Sequence, residues 1–273
     1  MKVRIGTRGS DLALWQARHV RAQLESQPGV ECEIVVLKTR GDLIDDVPLQ
    51  SVEGKGFFTA EIERALLEER VDLAVHSHKD LATENPPGLV VAGIPPRASP
   101  LERLLVRPDA WDADAPLLPL REGAKVGTSA PRRQEQLLAL RPDLSVLDLR
   151  GNVPTRVNRL REGRYDAIVL AAAGLDRLEL DLSGLEWVDL PLEQFVPSPA
   201  QGALAIQVRA SDTALIELVR RCLHDEEVAR AVEAERRLLI DVGGGCNQPL
   251  GAFVWPLAED TTRPQAPPPP GAD

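Results

Sequence analysis

Twice along this chain, short runs of aliphatic residues alternate with stretches whose apolar positions recur at helical spacing. This alternation is the strongest constraint on the fold, because β-α-β-α-β order requires crossover connections and so a mostly parallel sheet with helices on both faces. In the first third, Val3-Arg4-Ile5 reads as a strand, and the turn Gly6-Thr7-Arg8-Gly9-Ser10 leads into a helix. Ala13, Ala17, Val20 and Leu24 share one face of that helix, with Ser10 placed to cap it. Val30 to Lys38 reads as a second strand, and 59–69 as a helix with Ile62, Ala65 and Leu66 inward. Val71 to Val75 is a buried third strand that runs into His76-Ser77-His78-Lys79-Asp80.

The middle third repeats the scheme. Strands are expected at 125–128, 145–149 and 166–171, and helices at 130–140 and 155–162. Two Pro/Ser stretches, 95–100 and 196–200, separate the units, as in a chain that leaves one domain and later returns to it. The expected fold class is α/β: two doubly wound domains flanking a cleft, in the manner of type II periplasmic binding proteins. Domain 1 would comprise 1–98 and 199–221, and domain 2 would comprise 99–198. An amphipathic helix from Asp225 to Ile240, the loop Gly243-Gly244-Gly245-Cys246 and a short strand at 252–255 suggest a small, apparently truncated α+β domain over 222–256. The proline-rich tail 257–273 is expected to be disordered.

Composition narrows the function. Of 273 residues, 32 are basic and 42 acidic, a net charge of −10, and aromatics are 3%. An acidic chain with few stacking residues is a poor nucleic-acid binder. Three scattered cysteines, Cys32, Cys222 and Cys246, make neither a disulfide framework nor a zinc site, and fit a reducing compartment. With no apolar leader and no apolar run near membrane-spanning length, the expectation is a cytoplasmic protein off the membrane.

The chain carries 27 Arg against 5 Lys. Most of that excess reads as a compositional habit, but five arginines stand at strand-to-helix turns. Arg8 lies in the first, Arg132 and Arg133 in the matching turn of the second unit, Arg150 after a strand, and Arg156 at a helix start. In open α/β sheets these positions face the cleft beyond the strand ends, so a ligand with several carboxylates or phosphates is implied. No Walker loop or dinucleotide fingerprint favours phosphate. Asp80, beside Lys79 at a buried strand end, is either a salt-bridged terminus or a charge that stabilises a developing cation. His76 and His78 read as packing or hydrogen-bonding residues, and no metal is expected. Cys246, after three glycines, is either a plain loop cysteine or the attachment point of an electrophilic partner.

These segments, taken in order, resemble the porphobilinogen deaminase (hydroxymethylbilane synthase) family. The match comprises Ile5–Ser10 with 12–17, Gly54-Lys55-Gly56-Phe57-Phe58, Ala74–Asp80, Gly127–Gln134, Leu149–Arg156, Gln201-Gly202-Ala203 and Gly244-Gly245-Cys246, and it covers residues 1–256. The resemblance implies a transferase of tetrapyrrole biosynthesis. It would join four porphobilinogen units head to tail with loss of ammonia, primed by a dipyrromethane cofactor in thioether linkage to Cys246. Asp80, with Lys79, matches the catalytic position. Arg8, Ser10, Lys79, Thr128, Ser129, Arg132, Arg133, Arg150 and Arg156 match positions holding cofactor or substrate carboxylates. Lys55 and Phe58 match a mobile loop. A monomer handing its product to the next enzyme is also implied. Pro131, Pro154 and His78 depart from the family pattern; so does the Pro-rich tail, which stands where members add strands and a helix, and on that ground a poorly held Cys246 loop is expected. A degenerate relative and a bilobal polycarboxylate binder are the alternatives.

Overall fold

The computed structural model describes residues 1–38, 59–115, 117–243 and 249–255. The chain begins with β1 (Lys2–Thr7), α1 (Asp11–Glu25), β2 (Glu31–Val36), α2 (Ala60–Leu67), β3 (Leu73–Ser77) and β4 (Leu89–Gly93). It then crosses to β5 (Glu102–Val106), β6 (Lys125–Gly127), α3 (Pro131–Leu140), β7 (Ser145–Leu147), α4 (Val153–Arg161), β8 (Ala167–Ala171), α5 (Ala172–Leu178) and β9 (Glu186–Leu190). It returns through β10 (Leu204–Arg209), α6 (Thr213–Leu223) and α7 (Glu226–Asp241).

Two five-stranded sheets result, ordered β2-β1-β3-β10-β4 and β7-β6-β8-β5-β9. Each contains three parallel strands, then one antiparallel strand, then an edge strand. The antiparallel strand is in each case the one next to a crossover: β5 is the first strand after the outward crossing and β10 the first after the return. The architecture is α/β, with two doubly wound sheets joined by two crossovers.

Packing follows from strand alternation. In β5, Leu104 and Val106 face one core with Leu137 of α3, while Leu105 faces another with Val157 and Leu160 of α4. The first sheet is likewise covered on both faces, by Ala17, Val20 and Leu24 of α1 with Leu215 and Val219 of α6, and by Ile62, Ala65 and Leu66 of α2. Each such leucine, isoleucine or valine contributes about 1.5–3 kcal/mol by burial.

The crossovers touch. Ala98 N–H donates to the Gly202 carbonyl (3.2 Å). Gly202 has φ +84°, and a Cβ there would lie 2.4 Å from the Ala98 carbonyl oxygen, so only glycine allows this approach. The helix α7 packs Val232 against Ile94, Ala200 and Ala203 beside both crossovers. Its buried Glu235 accepts a two-pronged contact from Arg97 (2.6 and 3.0 Å) and the Ala200 N–H (2.6 Å).

The strand expected at 252–255 does not form. Val254 N–H donates to Glu235 Oε1 (3.0 Å) and Ala252 N–H to the Pro197 carbonyl (3.0 Å), so donors that a sheet ladder would use are taken by a side chain and a loop. The tail 257–273 lies outside the described residues.

Candidate active site

The first turn of the first unit is built as expected. Ser10 Oγ accepts the Ala13 N–H (3.3 Å) and caps α1, while Arg8 is half-buried at the cleft edge. Gln16, one turn into α1, donates to Ser77 Oγ at the end of β3 (2.9 Å) and ties the helix to that strand. Beyond Ser77 the chain makes a 3-10 turn, His78–Asp80, that leaves Asp80 exposed. An open cavity of about 490 Å3 places Asp80 with Arg8, Ser10, Gln16, His76 and Ser77. A second, of about 560 Å3, is lined by Lys79, Arg133, Arg156 and Arg177, with Leu12 and Ser77 common to both.

Four cations, with the carboxylates of Asp80 and Glu102 nearby, set the electrostatics. Burial drives the Lys79 ammonium down to about 8, with Asp80 opposing the fall and Arg133 adding to it. Lys79 Nζ donates to Gln201 Oε1 (3.0 Å), and Gln201 Nε2 in turn donates to the Pro100 carbonyl (2.8 Å) of the other crossover. Arg156 is pulled down to about 10, first by burial and then by Arg133, again with Asp80 opposing. A carboxylate entering here would relieve this mutual repulsion.

The second unit's turn behaves differently from the expectation. Arg132 and Arg133 are buried on Glu102, at the start of β5. Arg133 meets Glu102 with two nitrogens (3.0 and 2.7 Å) and the Val169 carbonyl with the third (3.0 Å). Arg132 donates to Glu102 and to the Val196 carbonyl (2.7 Å). Burial alone would raise the Glu102 carboxyl, yet Arg133 and Arg132 outweigh it and hold it at about 2. Arg132, expected to hold a ligand carboxylate, lines neither cavity in this structure. Arg133 reaches the second cavity but is already bound to Glu102.

Thr128 and Ser129 are also engaged with the backbone. Thr128 Oγ1 accepts the Ala130 N–H (3.3 Å), and Ser129 Oγ both donates to the Leu149 carbonyl (2.8 Å) and accepts its N–H (3.0 Å). Arg156 Nε donates to the Gly151 carbonyl (2.7 Å), and the Arg150 carbonyl accepts from Arg159 (2.8 Å). Arg150 lines neither cavity. Lys55, Phe58 and Cys246 lie outside the described residues.

His76 and His78 are both buried, as a packing role requires. Gln207 Nε2 donates to Glu63 Oε1 (3.2 Å) and Asn85 Oδ1 (3.1 Å), which leaves its Oε1 to accept from His76 Nε2 (3.1 Å). Burial holds the His76 ring down to about 4 and the His78 ring down to about 3. Among the described residues, no cluster of His, Cys, Asp and Glu could hold a metal ion.

Arg177 escaped the sequence reading. It reaches the Gly202 carbonyl from α5 (2.8 Å), lies over the Trp15 ring at 5.6 Å, and is lowered to about 10 by burial. Its only sequence signal was a single arginine ten residues after Ala167 opens a buried strand. Glu102 escaped too, because a carboxylate opening a strand reads as an exposed end.

Residues 3–217 match the family model described as "Porphobilinogen deaminase, dipyromethane cofactor binding domain". The chain belongs to the porphobilinogen deaminase family. It is 50% identical over 254 residues to the porphobilinogen deaminase of Maridesulfovibrio salexigens, covering 92% of this chain and 80% of that one. It is 52% identical over 262 residues to that of Nitratidesulfovibrio vulgaris strain Miyazaki F, covering 95% and 80%. Among solved structures, an ancestral cationic amino acid solute binding protein overlaps 89% of this chain and 91% of its own at 14% identity and TM-score 0.47. The fold assignment rests on the strand order, not on that overlap. The chain is thus a tetrapyrrole-biosynthesis enzyme of the porphobilinogen deaminase family, and dipyrromethane is its cofactor. The lining of the second cavity fits that group, since Lys79, Arg156 and Arg177 offer donors to the carboxylates a substituted dipyrrole carries.

Proposed function

We infer that this chain joins four porphobilinogen units head to tail into hydroxymethylbilane, releasing one ammonia per unit. The observation that carries this reading is Asp80. It is an exposed carboxylate at the end of a buried strand, in a cavity with Arg8 and electrostatically opposite Lys79 and Arg156. When the aminomethyl nitrogen leaves, positive charge develops on the pyrrole, and Asp80 stabilises it and accepts pyrrole N–H donors. Arg8, Ser10, Lys79, Arg156 and Arg177 hold acetate and propionate groups, so the ring is oriented before charge develops. Arg133 adds field rather than a free fork, and Arg150 adds its charge beside Arg156.

When bound, the cofactor supplies a nucleophilic pyrrole carbon that starts the chain, and Cys246 is its thioether anchor. The division into domain 1 (1–98 with 199–221), domain 2 (99–198) and a small anchoring unit (222–256) fits these roles, with the cleft between the two sheets. No described helix is long and apolar enough to cross a membrane. We take the enzyme to act as a cytoplasmic monomer that passes its unstable linear product to the next enzyme.

Asp80→Asn tests the reading. Turnover should fall by about 10²–10³-fold, the loss seen when one electrostatic stabiliser is removed, while KM for porphobilinogen changes little. Near-normal turnover in that variant would sink Asp80's role.

A further inference from the structure

We propose that Arg236 is a positioning residue for the reaction, holding the Lys79–Asp80 turn in place from α7. The proposal rests on Asp80 being the stabilising carboxylate. Arg236 lies half-buried on α7, and its fork donates to three carbonyls of one short segment: His78 (3.1 Å), Leu81 (3.1 Å) and Ala82. These carbonyls bracket Lys79 and Asp80 on both sides. The turn's own backbone contributes little beyond Leu81 N–H to the His78 carbonyl (3.2 Å) and His78 N–H to the Ala203 carbonyl (3.0 Å).

The geometry divides the turn's two faces. Its carbonyls are drawn toward α7 by one guanidinium, and its side chains are left for the cleft, where Lys79 is held by Gln201 and Asp80 stands exposed. His78 is buried with its Nδ1 without a hydrogen-bond partner, so that ring does not fix the turn by bonding through this nitrogen. A planar fork with five fixed donors suits three divergent carbonyls, whereas an ammonium on a flexible stem cannot reproduce the arrangement. The preceding residue, Glu235, fastens both crossovers. The two adjacent side chains therefore make α7 a single brace for the crossovers and the catalytic turn. Residues 244–248, with Cys246, follow this same helix in sequence.

The test uses the full chain with rates expressed per molecule carrying the cofactor, measured by intact mass. R236Q should lose about ten- to a hundred-fold in kcat, the scale expected when a reacting group shifts by about 1 Å, with KM within about twofold. Amide exchange should quicken in the 78–82 segment. L239A, which shortens another buried side chain of the same helix, should lower Tm yet keep kcat. R236K keeps the charge and guards against a variant that fails to fold; it should fold, with kcat between R236Q and wild type. Wild-type kcat in R236K, or an R236Q loss no greater than that of L239A, would overturn the proposal. An Asp80→Asn variant with normal turnover would instead remove the reading on which it rests.

Discussion

The two sheets share one strand order, and each begins with a strand, a turn containing arginine, and a helix, yet the two turns do opposite things. In the first, Arg8 lines the same cavity as Asp80 while Ser10 caps α1. In the second, Arg132 and Arg133 fold inward onto Glu102 and fix β5, the strand next to the outward crossover. In the second turn the partner is one buried carboxylate, Glu102 of β5, two strands away from β6 in the sheet. Equivalent position gives a residue access to the cleft, but its partners decide whether it binds ligand or holds the fold.

The comparison predicts its largest effect at Glu102. Glu102→Gln would leave two buried guanidinium groups facing one neutral amide, so unfolding free energy should drop by about 3–5 kcal/mol in denaturant titration. A loss under about 1 kcal/mol would mean that the pair is solvated and the two turns are alike. The next test exchanges the sites. Arg8→Gln should weaken porphobilinogen binding by about 1.5–3 kcal/mol, one to two orders of magnitude, with Tm nearly unchanged. Arg132→Gln should do the reverse, lowering Tm more than it raises KM. Equal effects of the two variants would erase the distinction.

A smaller effect concerns pH. Because burial holds Lys79 near 8, its charge is present below that pH and lost as pH rises through it. Binding of a pyrrole dicarboxylate lacking the aminomethyl group should be flat from pH 6 to 7.5 and weaken about fivefold above pH 9, as a charged hydrogen bond becomes a neutral one. Lys79→Met should abolish that inflection. A flat profile in the unaltered protein would mean that Lys79 is not at the carboxylate site.

Much of the fold was legible because periodicity survives in β1, α1, α2, β3 and the β6-to-β8 unit. What was lost was lost for local physical reasons. The strand expected at 166–171 matches β8, but α5 was not expected, because it begins at Ala172 directly after that strand with no capping side chain or turn residue between them. β5 carries Glu102 and Arg103, both buried by ion pairs with other segments, which breaks the apolar pattern of an interior strand. β4, β9, β10 and α6 also escaped the sequence reading. At the site, Asp80, Lys79, Arg8 and Arg156 were legible from their place at strand ends. Arg177 and Arg236 were not, because each acts across a gap in sequence, on Gly202 and on residues 78–82.

The central claim is that a cleft built around Asp80 and the cations Arg8, Lys79 and Arg156 serves a dipyrromethane anchored at Cys246. Its most direct test is the intact mass of the purified protein beside a Cys246→Ala control. The account predicts an excess of two pyrrole units on the unaltered chain, absent from the control. A bare polypeptide mass after incubation with porphobilinogen would contradict it.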